Sequence, residues 1–433
     1  MSKINKDLEK KFGSKKIKFD SETLIEYGQD WYKGIEPDPQ AIFFPETAKD
    51  IQEIIYFAKK KGLKLLPSGG RTGLSGGATA VCKEIVVSMK NLNEINWIKG
   101  SHRLKCQAGV ITETAKSMAK EKSRILPIDF SSTSSSMIGG NVATNAAGAK
   151  FIGYGSTKNH VRNMTVILPN GEITPLGKVA EKDASGPDLM ELFIGSEGVF
   201  GFILDVTFET YPEPKFSESI CLNADSLDDL YKIIQEPSDI ISAIEFLDLN
   251  SQLLLSNEAP SKYEVLIELN SDSEDKIEYF LRDVVEKVSD VNLLNSRQTK
   301  LFWEKRELLP VKLSEMGAVK FDFCVDKLST EKFMNEVEMN ISKAKIFNFG
   351  HLGDGNIHLN IIFEEQNDEQ VSVVYEILKS FGGSPSAEHG IGKRKKGIWN
   401  TFPQYKQKLK LLETLKKSID PDEIIAPKVF FDN

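Results

Sequence analysis

The chain has 433 residues, too many for one ordinary hydrophobic core, which points to two or three lobes. Aliphatic and aromatic residues make up 40% and charged residues 27%, the balance of a soluble globular protein, and a net charge of −8 argues against nucleic acid as the main partner. The four cysteines, Cys82, Cys106, Cys221 and Cys324, stand far apart with no Cys-x-x-Cys pair, which argues against a zinc ribbon or a redox dithiol and fits a reducing cytoplasm. The charged N-terminus shows no signal peptide and no apolar run reaches transmembrane length, so a cytoplasmic protein is expected; peripheral contact with the inner face of a membrane, and a homodimer, are left open.

In chain order, AIFF (41–44) reads as a strand. Thr47 with Asp50 three residues on forms a capping box, and Ile51, Ile54, Ile55 and Ala58 repeat at helical spacing until Gly62 stops the helix. Leu63–Leu66 form a second strand, and EIVVSM, TVILPNGEI and FILDVTF add further short strands up to about residue 210. Composition shifts at Pro212–Pro214, where a boundary is expected. Beyond it KYEVLIELN, SEDKIEYFLRDVVEKV, VKFDFCV and a hairpin over 346–363 read as a separate α+β lobe.

Three small-residue tracts stand out. PSGGRTGLSGGA (67–78) follows a strand directly, and its glycines let backbone N–H groups approach an anion such as a pyrophosphate. It has neither Rossmann spacing nor a Walker A ending, and on its own a flexible surface loop explains it equally well. In PIDFSSTSSSMIGGNVATNAAG (127–148), Ile138, Val142 and Ala143 with Gly139–Gly140 suggest a buried turn that brings backbone near a ligand. GSEGVFGFI (195–203) leads into a strand.

Three of only five histidines, His351, His358 and His389, fall near the C-terminus. If Asp354-Gly355 is a two-residue hairpin turn, Gly353 pairs with Asn356, Leu352 with Ile357 and His351 with His358, placing two imidazoles directly opposite, with Cβ atoms roughly 5 Å apart. Asn360 shares that face, and Glu388 adds a carboxylate to a His, His, Glu set with room for substrate. A hydrogen-bonded core pair with a cap-like Glu is the competing reading. In extended backbone the side chain next to Glu388 points away, so His389 is not expected to be a ligand too.

Together, the three tracts in this order resemble the FAD-binding domain of the vanillyl-alcohol oxidase (PCMH-type) superfamily, and HLGDGNIHLN and SAEHGIG resemble its HxGDGNxHxN and SxEHGxG motifs. The resemblance runs from about residue 36 to the end, nearest to D-lactate, D-2-hydroxyglutarate and glycolate dehydrogenases. It implies an α+β protein: an N-terminal extension (1–35), a PCMH-type FAD-binding domain of two α/β subdomains (36–212), and an α+β substrate or cap domain (213–433) whose segment 381–433 returns to the flavin site. FAD would be held by Pro67, Gly69, Gly70, Arg71, Thr72, Gly73, Ser134, Ser135, Ile138, Gly139, Gly140, Asn141, Ala143, Thr144, Asn145, Gly148, Glu197 and Ile203. Arg71 follows Gly69–Gly70 and no histidine precedes His102, so non-covalent FAD is expected.

The same resemblance makes His351, His358 and Glu388 ligands of a divalent metal, zinc being expected, with His389 as the base. Asn360, Arg306 and Lys320 would contact substrate, Arg306 as a carboxylate clamp. The implied reaction is oxidation of a D-2-hydroxy acid to the 2-oxo acid, by metal-assisted deprotonation of the hydroxyl and hydride transfer to flavin N5. A quinone, a cytochrome or an electron-transfer flavoprotein would reoxidise the flavin. Three departures stand against the pattern: Pro310 where 2-hydroxyglutarate dehydrogenases have a threonine, Asp326 for a proline, and DPDEIIAPKVF without Asn-Pro-Gly-Lys. The first favours a lactate-like acid; the last puts flavin contacts of the tail in question. Two other readings stand beside this one: a flavin-binding subunit of a multi-subunit complex such as a glycolate oxidase, and a flavin-free metallohydrolase. The run Lys393–Lys396 is expected to be a solvated charge run.

Overall fold

A computed structural model describes residues 2–178, 180, 182–228, 230–231, 239–256, 258–365 and 368–432. The chain divides into two compact units: unit 1 holds 1–146, 156–212 and 388–433, and unit 2 holds 147–155 and 213–387.

Unit 1 begins with helix Lys3–Lys16 and β1 (Ile17–Lys18), followed by β2 (Ala41–Phe43), β3 (Leu65–Ser68) and β4 (Ile85–Ser88). These strands make a sheet in the order β1-β2-β4-β3. The first 35 residues are built into this core through Leu8, Ile17 and Tyr27. The helix between β2 and β3, Ala48–Lys61, has the predicted Thr47–Asp50 capping box, buries Ile51, Ile54, Ile55 and Ala58, and ends at Gly62 in the left-handed region. A second sheet uses β5 (Ile95–Trp97), β6 (Arg103–Gln107), β8 (Val161–Ile167), β9 (Ile173–Gly177) and β10 (Phe202–Glu209) in the order β5-β6-β10-β8-β9. β7 (Arg124–Ile125) pairs with β11 (Tyr211–Pro212). The C-terminal tail closes this unit: Leu65 donates to Ile424 O at 2.8 Å and Ala426 donates to Leu65 O at 2.8 Å.

Unit 2 is a seven-stranded sheet in the order β15-β12-β14-β13-β17-β18-β16. Its strands are β12 (Phe216–Ala224), β13 (Ile241–Asp248), β14 (Tyr263–Ser271), β15 (Val291–Leu294), β16 (Val319–Cys324), β17 (Ala344–His351) and β18 (Asn356–Phe363). Leu247, Leu266, Phe347 and Phe349 of the sheet pack with Phe302, Leu309 and Leu313 of helix Ser296–Glu315. The short helix Phe151–Tyr154 lies on β13, so closely that a Cβ on Gly153 would fall 2.8 Å from Ser242 Cα. Among the described residues no helix is long and apolar enough to cross a membrane.

Two local expectations change. Residues 138–144 form a short helix, where a turn was expected; Ile138 and Gly139 donate to Val110 O and Ala108 O, and Asn145 ends the helix in the left-handed region. The hairpin register also differs. β17 and β18 pair Gly350 with Ile357 and His351 with Asn356, so Leu352–Gly355 is a four-residue connection and not a two-residue turn. Gly355 is left-handed and a Cβ there would lie 2.1 Å from Val325 O, which fixes the connection against the loop after β16. His358 therefore pairs with Phe349, two places from the expected register, and a shift of two keeps His351 and His358 on one face.

Candidate active site

The three small-residue tracts converge within unit 1. β3 runs straight into Gly69–Gly70, and a Cβ on Gly70 would sit 2.2 Å from Ser135 O, while one on Gly69 would sit 3.6 Å from Gly140. The first and second tracts thus touch backbone to backbone, which only glycine permits. Gly140 has nothing within 4 Å of its would-be Cβ, so that side of the helix is open. Ser68 Oγ and Ser88 Oγ, on register partners at the ends of β3 and β4, are buried without a hydrogen-bond partner among the described residues. Arg71 adopts φ 59° and stacks over Tyr27 at 4.1 Å. The third tract clamps the helix: Gly195 donates to Val142 O at 3.0 Å and Glu197 to Ala143 O at 2.6 Å.

Several residues expected at this cradle have protein partners of their own or lie elsewhere. Asn141 donates to Thr112 Oγ1 at 2.6 Å, Thr144 Oγ1 to Gly140 O at 3.0 Å, and Asn145 Oδ1 accepts from Lys158 N at 3.0 Å. Ile203 pairs with Val166 inside the second sheet, Ser134 is exposed, and Gly148 falls in unit 2. Two orphaned buried hydroxyls, backbone-to-backbone glycines and an open helix side fit a large phosphate-bearing cofactor such as FAD.

Segment 389–396 is not a solvated charge run. Ser75 Oγ donates to His389 O at 2.7 Å and Gly390 O at 2.9 Å, and Ser75 O accepts from Lys393 N and Arg394 N. Glu197 Oε1 accepts from Ile391 N at 2.7 Å and Gly392 N at 3.1 Å, and burial pushes its carboxyl up from the ordinary range. Lys393 Nζ donates to Gly77 O at 3.0 Å, burial lowering it to about 8, and Lys396 Nζ donates to Phe431 O at 2.8 Å. Lys393, Arg394 and Lys396 meet loop carbonyls, because these glycine-rich turns leave many carbonyls outside sheets and helices.

In unit 2, His351 and His358 stand edge to face with ring centroids 5.4 Å apart. His358 packs on Phe349 at 5.3 Å, and the Arg306 guanidinium lies over the same Phe349 ring at 4.9 Å. Arg306 comes from helix Ser296–Glu315 and is buried. Its Nε donates to Glu245 Oε1, whose other oxygen meets His351 Nδ1. Burial pushes the Glu245 carboxyl up, but Arg306 and His351 outweigh it and hold the group down at about 2. Lys320 Nζ donates to Pro310 O and Ser314 Oγ of that helix, and Asn360 Nδ2 to His358 O at 3.0 Å.

Sequence reasoning missed Asp322 and Glu245. Asp322 is buried opposite His358 in register, its Oδ1 3.9 Å from His358 Nδ1, and it accepts from Asn356 Nδ2 at 3.1 Å. The available signal was an acid inside a buried strand pattern, between Phe321 and Phe323 in one case and inside ISAIEFLD in the other. Ala387 N donates to Asp322 O at 3.3 Å, and Glu388 and His389 are the next two residues of the chain. Asp322 and His358 of unit 2, and Glu388 and His389 at the start of the last segment of unit 1, are carboxylates and imidazoles of the kind that hold a divalent metal. The backbone bends at Ala387–His389, so the alternation expected of extended chain does not apply there and His389 is a possible ligand as well as Glu388.

The family model for FAD binding domains matches residues 39–177, and that for FAD linked oxidases, C-terminal domain, matches residues 213–429. The chain is 32% identical to a D-2-hydroxyglutarate dehydrogenase of Stutzerimonas stutzeri (strain A1501) over 96% of both chains. It is also 32% identical to the mitochondrial D-2-hydroxyglutarate dehydrogenase of Arabidopsis thaliana, covering 96% of this chain and 79% of that protein. The crystal structure of p-cresol methylhydroxylase shares the fold, with a TM-score of 0.76 and 14% identity over 98% of this chain and 96% of that one. With both halves matched and relatives aligned nearly end to end, the chain belongs to the FAD-linked oxidase family and is an FAD-dependent oxidoreductase of PCMH-type fold.

Proposed function

We propose that this chain oxidises a D-2-hydroxy acid to the 2-oxo acid, with D-2-hydroxyglutarate the first substrate to test. The observation that carries the reading is the buried Arg306 stacked on Phe349 beside the edge-to-face imidazoles of His351 and His358. Among the described residues the two terminal nitrogens of Arg306 take no protein partner, which leaves one fork edge for a carboxylate. The named relatives act on D-2-hydroxyglutarate, and the match to them is nearly full length. Pro310 favours a second reading, a lactate-like acid: it offers no hydroxyl to a distal carboxylate, and its carbonyl already takes Lys320.

FAD, held non-covalently at the glycine cradle around Gly69–Gly73 and Gly139–Gly140, supplies the hydride acceptor when bound. A divalent metal such as zinc would be held by His351, His358 and Glu388, with Asp322 added to the set, and would supply positive charge that makes the substrate hydroxyl more acidic. Arg306 binds the substrate carboxylate and orients Cα. Asn360 and Lys320 line the same face of the sheet, Asn360 two residues beyond His358 and Lys320 its register partner. His389 accepts the hydroxyl proton. A quinone, a cytochrome or an electron-transfer flavoprotein takes the electrons onward. The test is anaerobic addition of a panel of D- and L-2-hydroxy acids to the purified protein. Flavin bleaching by D-acids alone is expected. Bleaching by none of them overturns the reading.

A further inference from the structure

Glu245 is an acid in the middle of an apolar strand, ISAIEFLD, and its side chain is wholly buried. β13 lies between β14 and β17, so the residue is held from both edges: it faces Leu266 on one side and His351 on the other. A carboxylate placed there loses its water and keeps its charge only if both oxygens are met. They are met by two residues already placed in the site. Oε1 takes Arg306 Nε and Oε2 meets His351 Nδ1.

Each contact constrains the far end of its partner. With a carboxylate at Nδ1, the His351 proton sits on Nδ1, and any ligation of a metal by this ring is through Nε2. With Nε fixed, the guanidinium plane is set, and its edge toward a substrate is the pair of terminal nitrogens. Phe349 supports that plane from below at 4.9 Å and supports the His358 ring at 5.3 Å.

Resting on the proposed reaction, we infer that Glu245 is a positioning residue: one carboxylate fixes which nitrogen of His351 faces a metal and aims Arg306 at the substrate carboxylate. A bystander ion pair would need only one of these partners. This carboxylate instead couples metal capture to substrate capture across two elements, β17 and helix Ser296–Glu315.

Glu245→Gln tests the idea because it keeps the shape. Its amide oxygen can still accept from Arg306, so the NH2 turns to His351 Nδ1 and forces the proton to Nε2, where it blocks ligation. In the FAD-loaded protein freed of metal, zinc titration of Glu245→Gln should show affinity lower by on the order of tenfold to a hundredfold, with FAD retained and KM for the hydroxy acid raised. Wild-type zinc affinity in that variant overturns the proposal. Should the variant not fold, wild-type protein labelled with nitrogen-15 at its histidines decides by long-range proton–nitrogen correlation: a proton on His351 Nδ1 supports the proposal, and a bare Nδ1 overturns it. Neither zinc titration nor the nitrogen spectrum depends on turnover. If no acid bleaches the wild-type flavin, the proposed reaction fails while both measurements still judge Glu245.

Discussion

Gly70 and Ser135 meet backbone to backbone, so that a Cβ on Gly70 would fall 2.2 Å from the Ser135 carbonyl oxygen. That contact joins the loop after β3 to the serine-rich tract, and neither side can give way as a flexible side chain would. Gly70→Ala should separate the two tracts, cost about 1–3 kcal/mol of stability by overpacking and yield protein without visible flavin absorbance. Full FAD content in this variant would show that the contact does not shape the cofactor site.

Acid should weaken the protein through His160. Its ring is buried with Nδ1 3.2 Å from Tyr211 Oη and Nε2 without a partner among the described residues, and burial lowers its pKa from 6.5 to about 4. The unfolded chain takes up a proton at this residue below about pH 6.5, while the folded chain resists until about pH 4, so stability is fully present above 6.5 and declines between those values. The shift corresponds to about 3 kcal/mol. Chemical denaturation at pH 7.5 and pH 4.5 should show a drop that shrinks in His160→Phe. An unchanged drop in that variant would assign acid sensitivity to other groups.

Removing divalent metal should stop turnover without releasing flavin, because the proposed metal ligands and the glycine cradle are different residues. Dialysis against a chelator, followed by activity and absorbance measurements, checks this, and added zinc should restore activity. His358→Ala should lose both metal content and turnover. Full activity in metal-free protein would refute a metal role.

The proton acceptor is tested by His389→Asn. Its kcat should fall by a factor on the order of a hundred or more while FAD stays bound. Metal content has to be measured alongside, since His389 is itself a possible ligand: a fall in kcat with metal retained supports the base, and a fall in both identifies a ligand.

Arg306→Lys keeps a charge but not the fork, and one ammonium cannot serve both Glu245 and a substrate carboxylate with the same geometry. KM for the hydroxy acid should rise on the order of tenfold or more, with a smaller change in kcat if the clamp acts equally in ground and transition states. An unchanged KM would remove Arg306 from substrate binding.

The sequence by itself determined the features that depend on short-range chemistry. Thr47, Asp50 and Gly62 bracket a helix because caps act within one turn, and the glycine tracts announce close backbone approach because no other residue tolerates it. The hairpin over 346–363 was legible from its alternation, and so was the shared face of His351 and His358. Its register was not, because the length of the connection is set by Gly355 seating against Val325 after β16, a contact far away in sequence. The roles of Glu245 and Asp322 depend on distant contacts in the same way: the apolar strand around each acid hints at burial, but only the neighbouring strands and a helix bring Arg306, His351 and His358 to them. Lys393–Lys396 read as solvated because charge runs usually are; only the fold places loop carbonyls around them. Local propensity sets which elements form, and the burial and pairing of charged side chains are settled only when distant strands meet.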